Sequence, residues 1–203
     1  ETERKCRRTF ATQLALMAEY PEYKFLQSQT HLYWMTKTKY PALYKRIKAA
    51  ARAGQWIPDG GMWVEPDTNI AGGEALIRQF MHGKRFFRDE FGVESELMWL
   101  PDVFGYSGAL PQIMRGCGIK YFSTQKIFWN YHGGENFPHH TFWWEGIDGT
   151  RVLAHFHNDY NSETTPQHIK RWNDRVQKDG IVSRLFPFGW GDGGGGPTRD
   201  HLE

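Results

Sequence analysis

The sequence predicts an α/β protein in which a parallel sheet is covered by flanking helices. Three observations carry that expectation. Helical and strand-like patterns alternate along the chain, as β-α units do. Glycine or proline punctuates most of the junctions between them. The 203 residues, 39% hydrophobic and 24% charged, suit one ordered domain with a sizeable core and not a disordered chain. An α/β barrel takes about 250 residues, so the chain is read as most of one, a single domain over residues 1–203.

The elements follow in order. Phe10, Leu14 and Met17 recur at helical spacing, and Glu1 to Arg8 already reads as the inside of a charged helix. Lys24 to Thr30 is a short strand. Leu43, Ile47 and Ala50 mark a second helix, ended by Gly54. Gln55 to Val64 is a strand interrupted at Gly60-Gly61. Leu76, Phe80, Phe87 and Phe91 give a long helix stopped by Gly92. Glu96 to Leu100 is a strand, Ala109 to Arg115 a helix, and Tyr121 to Ile127 another strand. Thr141 to Gly146 and Arg151 to His157 form a hairpin across Asp148-Gly149, a good two-residue turn. Thr165-Pro166 starts a helix with Ile169, Trp172 and Val176 on one face. Leu185 to Trp190 is the last strand, and Pro197 to Glu203 reads as the first turn of a further helix. The chain is therefore expected to be truncated at both ends.

Composition excludes several classes. Net charge is +2 with both signs interspersed, so there is no basic stripe for nucleic acid. No apolar run reaches the ~18 residues of a membrane span. Cys6 and Cys117 are far apart, which argues against a disulfide framework and favours a reducing, cytoplasmic setting. Aromatic residues reach 16%; most such rings serve a core, and some would line a sugar cleft by stacking on pyranose faces.

Reactive groups of parallel α/β folds gather where strands end. Four aspartates sit there: Asp67 after Trp63-Val64, Asp102 after Leu100-Pro101, Asp159 after His155-Phe156-His157, and Asp192 after Trp190-Gly191. Each could simply cap a helix. That bland role suits Asp67 and suits Asp102 and Asp192 less, because the next helical pattern starts several residues later. Carboxylates sharing one mouth repel, which separates an acid from a base, as glycoside hydrolysis requires. His155 and His157 share a strand face and could meet one metal, although a core histidine and a surface one is the commoner outcome. The Gly191–Thr198 run is no phosphate loop, since Pro197 stands where the lysine belongs. Gly105-Tyr106-Ser107-Gly108 has the wrong spacing for a nucleophile elbow. A glycine run after a strand does let a substrate approach the backbone.

The stretch Leu100-Pro101-Asp102-Val103-Phe104-Gly105-Tyr106-Ser107-Gly108-Ala109-Leu110-Pro111-Gln112-Ile113 resembles the nucleophile segment of glycoside hydrolase family 38, the retaining α-mannosidases. Gly60 to Asn69 is similar to a second segment of that family, and Phe188 to Thr198 to a third, of the bacterial and cytosolic/vacuolar branch. The resemblance implies a partial seven-stranded (β/α) barrel with one zinc ion. It implies Asp102 as nucleophile and zinc ligand and Asp192 as general acid/base, with Asp159 in reserve. It also implies Phe104, Glu65, Asp67, Tyr160 and Asp159 along the sugar pocket. The other zinc ligands of the family, a His-x-Asp pair upstream and a histidine downstream, are absent from this stretch.

The expected function is that of a retaining exo-α-mannosidase acting on mannose-containing glycans with zinc, as part of a longer chain in which homo-oligomerisation is left open. Nucleic acid and membrane are not expected partners. A non-catalytic carbohydrate-binding fragment is the alternative, and a metallohydrolase built on His155 and His157 ranks below it.

Overall fold

A computed structural model describes residues 1–130, 137–157, 159–175, 180–181 and 183–203. Helix α1 (Thr2–Glu19) buries Phe10, Gln13, Leu14 and Met17. Strand β1 (Phe25–Gln27) leads directly into α2 (Thr30–Lys39), which the sequence pattern did not reveal. Threonines and aromatic residues make α2 a weak helix by propensity. Tertiary packing overrides this: Tyr33 is fully buried, its hydroxyl donating to Gln27 O at 2.9 Å and accepting from Trp56 Nε1 at 2.7 Å. Thr36 and Thr38 turn their hydroxyls back onto the carbonyls of Leu32 and Trp34.

Helix α3 (Pro41–Arg52) starts on proline and is followed by a left-handed Gly54, and β2 (Trp56–Pro58) pairs in parallel with β1. The strand expected to reach Val64 stops at Pro58. Gly60 and Gly61 take positive φ and thread between neighbours, where a Cβ on Gly60 would lie 2.5 Å from Ser28 Cβ. Helix α4 (Gly73–Phe91) buries Leu76, Phe80, Gly83 and Phe87 and ends at left-handed Gly92, as its pattern predicted.

Strands β3 (Leu97–Trp99) and β4 (Tyr121–Thr124) are parallel and joined through α5 (Leu110–Gly116). Strand β4 is shorter than expected because the chain turns into the short α6 (Ile127–Asn130). Strands β5 (Thr141–Glu145) and β6 (Arg151–Phe156) form the expected antiparallel hairpin, with Gly149 left-handed and Asp148 Oδ1 accepting from Thr150 N at 2.9 Å. Helix α7 (Pro166–Arg175) buries Trp172 but leaves Ile169 exposed, and Val176 lies outside the described residues.

The described residues hold six strands in two sheets, β1-β2 and β3-β4-β6-β5, parallel except for the hairpin. A seven-stranded barrel is not what they form. Trp99 N donates to Gly60 O at 3.3 Å, so the two sheets touch where β2 runs out. The expected last strand, Leu185 to Trp190, is irregular backbone, held by a Trp190–Gly196 bridge and by Gly189 N donating to Ser162 O at 3.1 Å and Leu185 N to His155 Nε2 at 3.3 Å. Pro187 has no N–H to offer a ladder, and Gly189 takes a φ of 128° against Pro197. Two cores result. One lies under the four-stranded sheet around Phe80, Met98, Leu100 and Met114. The other fills the α1–α3 and β1-β2 half around Phe10, Tyr33, Ile47 and Trp56.

Candidate active site

Asp102 follows the carboxyl end of β3, and its loop is braced by the end of β4. Thr124 Oγ1 donates to Leu100 O at 2.7 Å, and Gln125 Nε2 to Pro101 O at 3.2 Å. Lys126 completes the run, its ammonium 3.1 Å from Asp102 Oδ1. The Lys126 side chain is 6% exposed while that of Asp102 is 48% exposed, so a buried cation grips a carboxylate that solvent and substrate can still reach. Aromatic rings wall the ammonium in: Trp129 at 3.7 Å from ring centre, Phe104 at 5.3 Å and Tyr160 at 5.5 Å.

Tyr160 connects the acids. Its hydroxyl bonds Asp102, and burial acts together with the charges of Asp102, Asp192 and Asp159 to push its ionisation well above the usual phenol range. The Asp192 loop lies on this ring, since a Cβ on Gly191 would come within 2.8 Å of it. Asp192 itself is exposed and adopts a left-handed φ of 49°. Asp159 differs: the Asn161 amide, oriented to donate, meets its two carboxylate oxygens at 2.9 and 3.3 Å.

Glu65 lies near enough to Asp102 to feel its charge. Burial, reinforced by the charge of Asp102, raises its pKa to about 7, while Ser28, donating at 2.9 Å, and Gln29 pull it back down. Glu65 and Tyr160 line a hollow of about 490 Å³ whose walls include Gln27, Trp99, Phe188 and Trp190. That is large enough for a monosaccharide unit. Asp67 plays a more local part. Its Oδ1 accepts from Asn69 N at 3.0 Å, and its carboxylate fills the space where a Cβ on Gly105 would stand. Thr68, buried, ties the same two loops by donating to Gly105 O and accepting from Ser107 N, each at 2.9 Å. Phe104 exposes its ring beside Lys126.

Three groups that shape the site escaped the sequence reading. Lys126 and Trp129 follow β4 as Asp102 follows β3, but the strand expected to run to Ile127 hid Lys126 inside it. Gln13 touches the Asp192 loop from α1, and nothing local in the sequence announces it.

His155 and His157 do not make a metal site. His155 Nδ1 pairs with Thr141 at 2.9 Å, whereas His157 pairs with Ser123 and stacks on Trp99 at 4.6 Å. Burial lowers their pKa values to about 4 and about 3, so both are neutral core groups near pH 7. The zinc implied by the resemblance also lacks a matching set. Among the described residues no group of three or more His, Cys, Asp or Glu side chains could hold a metal. Asp102 already has the Lys126 ammonium as its cation.

The Glycosyl hydrolases family 38 N-terminal domain matches residues 1–203, the whole chain. The chain belongs to glycosyl hydrolase family 38. Among curated family 38 relatives, Alpha-mannosidase 2C1 of Homo sapiens is 48% identical over 206 residues, spanning all of this chain and 20% of that protein. Alpha-mannosidase of Saccharomyces cerevisiae is 41% identical over 208 residues, again all of this chain and 19% of the relative. The chain thus spans about a fifth of the length of these relatives. A solved family 38 protein from Enterococcus faecalis shares the fold at a TM-score of 0.67 and 19% identity, over 95% of this chain and 22% of that one. A 4-alpha-glucanotransferase from Thermococcus litoralis also reaches a TM-score of 0.67, at 16% identity over 92% of this chain and 30% of that one.

Proposed function

We propose that this chain carries the acid machinery of a retaining exo-α-mannosidase acting on terminal mannose of glycans. The observation that carries the reading is Tyr160, whose ring faces the Lys126 ammonium that holds Asp102 and carries the Asp192 loop through Gly191, at the wall of a sugar-sized hollow. Asp102, held by Lys126, attacks the anomeric carbon. The glycosidic bond breaks as the ester to Asp102 forms, and Asp192 gives its proton to the departing oxygen. Asp192 then takes a proton from water as that water attacks the anomeric carbon and releases Asp102.

Asp192 suits the proton-transfer role better than Asp159, because Asp192 is exposed whereas the oxygens of Asp159 are already engaged by the Asn161 amide. The Lys126 ammonium, 3.1 Å from Oδ1, holds the Asp102 carboxylate in place for attack. Phe104 and Trp190, both exposed, offer ring faces to a sugar, and Glu65 and Tyr160 offer polar groups from the hollow. Zinc, if the family's ion is present, would touch Asp102 and need its remaining ligands from outside the described residues. The unpaired thiols of Cys6 and Cys117 support a reducing, cytoplasmic setting. Among the described residues no helix is long and apolar enough to cross a membrane.

The test is the stereochemistry of the first product. With the full-length protein and an aryl α-mannoside, proton NMR should show α-mannose before mutarotation. Initial β-mannose would exclude a covalent intermediate on Asp102, and no hydrolysis would leave the alternative of a binding fragment.

A further inference from the structure

The loop that carries Asp192 is a run of glycines, and glycine runs do not hold a shape of their own. Gly193, Gly195 and Gly196 all take positive φ, and so does Asp192, one of the few non-glycine types that tolerate it. The contacts that hold this loop come from α1, about 180 residues earlier in the chain. Gln13 is fully buried, and both ends of its amide are hydrogen-bonded. Nε2 donates to Gly195 O at 3.0 Å and to Pro197 O at 3.2 Å, while Oε1 accepts from the Tyr23 hydroxyl at 2.6 Å. Arg8 Nη2 adds a bond to Gly193 O at 3.2 Å. A Cβ on Gly196 would stand 3.1 Å from Gln13 Nε2, so glycine at that position lets the amide reach the loop. On its other side the loop rests on Tyr160 through Gly191, and Tyr160 bonds Asp102.

We propose that Gln13, oriented by Tyr23, is a positioning residue that selects the one conformation of the 191–197 loop in which Asp192 meets the leaving-group oxygen. The proposal rests on the reading of Asp192 as the general acid/base. A buried amide is costly unless its bonds are made, so Gln13 in this core is tied to the carbonyls of Gly195 and Pro197, and losing those bonds frees the loop. Small displacements of a catalytic group are costly, about 100-fold for a shift near 1 Å. That cost falls on proton transfer and spares the nucleophilic step, which gives the idea a signature that general destabilisation lacks.

The experiment measures kcat/KM, which reports the bond-breaking step, for Gln13→Met, Tyr23→Phe and Asp192→Ala in the full-length protein. One substrate is an α-mannoside with a poor leaving group such as a simple alcohol. The other has 2,4-dinitrophenolate, which departs without a proton. Gln13→Met should lose about 10- to 100-fold on the poor leaving group and less than about 3-fold on the good one. Tyr23→Phe keeps the volume and should show the same pattern more weakly, which covers the case where Gln13→Met fails to fold. Asp192→Ala should show it most steeply. Equal losses on both substrates in the Gln13 and Tyr23 variants, with the steep pattern kept in Asp192→Ala, would overturn the clamp and leave the acid assignment standing. A flat Asp192→Ala, with the pattern appearing in Asp159→Asn, would overturn the acid assignment and the clamp with it.

Discussion

At the end of β3 the carboxylate of Asp102 is gripped directly, by the Lys126 ammonium at 3.1 Å and by the Tyr160 hydroxyl. Farther along the chain Asp192 is positioned from behind, through the carbonyls of Gly193, Gly195 and Pro197, with its own side chain exposed. The contrast suits the two duties proposed for these residues. For the proposed nucleophile, charge and hydrogen bonds are applied to the carboxylate itself and aim it. For the proposed acid/base, which needs a free carboxyl, only the backbone is fixed.

Four substitutions break or sharpen that contrast. The largest effect belongs to Asp102→Asn, which keeps the shape and an acceptor for Lys126 but removes the proposed nucleophile. Turnover of an aryl α-mannoside should fall by about 10⁴-fold or more while the thermal transition stays cooperative. Lys126→Met should come next, with kcat/KM down about 100-fold and, unlike Gln13→Met, equally for good and poor leaving groups. Its stability should change by only about 1 kcal/mol, because the half-exposed Asp102 regains water when its partner goes. Denaturant titration checks this.

Thr68→Val tests how tightly the Asp102 loop is tied to its neighbour. The Ser107 N–H loses its acceptor, and Gly105 O keeps only the bond from Thr68 N at 3.1 Å. Unfolding free energy should drop by about 1–3 kcal/mol, with a several-fold loss of activity on both leaving groups.

Glu65→Gln gives the smallest effect, and only above acid pH. The folded protein holds the Glu65 proton to about pH 7 against an ordinary 4.5, so ionising the group works against folding. The burden is absent below pH 4.5, grows through the interval and is complete above pH 7. The neutral amide should therefore stabilise by about 1–2 kcal/mol at pH 8 and by nothing at pH 4, read from melting temperatures across that range.

Much of this arrangement was legible in the sequence where local chemistry decides it. Gly92 ends α4 and Asp148-Gly149 turns the β5-β6 hairpin because each backbone demands a residue tolerant of positive φ or of a tight turn. Asp102 stood out because an acid after an apolar strand with no helix to cap has little structural excuse. Long-range choices were not legible. Helix α2 exists because Tyr33 packs among Phe10, Trp56 and Phe91, which no window of ten residues contains. The 185–190 segment has strand-like composition, yet Pro187 and Gly189 keep it out of a ladder. Lys126 reads as an ordinary surface lysine until the strand order brings it to Asp102. Gln13 reads as a polar residue on an amphipathic helix until the glycine loop folds over it.

The most direct test is to trap the intermediate. A fluorinated mannosyl fluoride that forms the glycosyl ester and hydrolyses slowly should add one fluoromannosyl mass to the full-length protein. Peptide mapping should place that mass on Asp102. Stoichiometric labelling at Asp192, Glu65 or any other carboxylate would contradict the account.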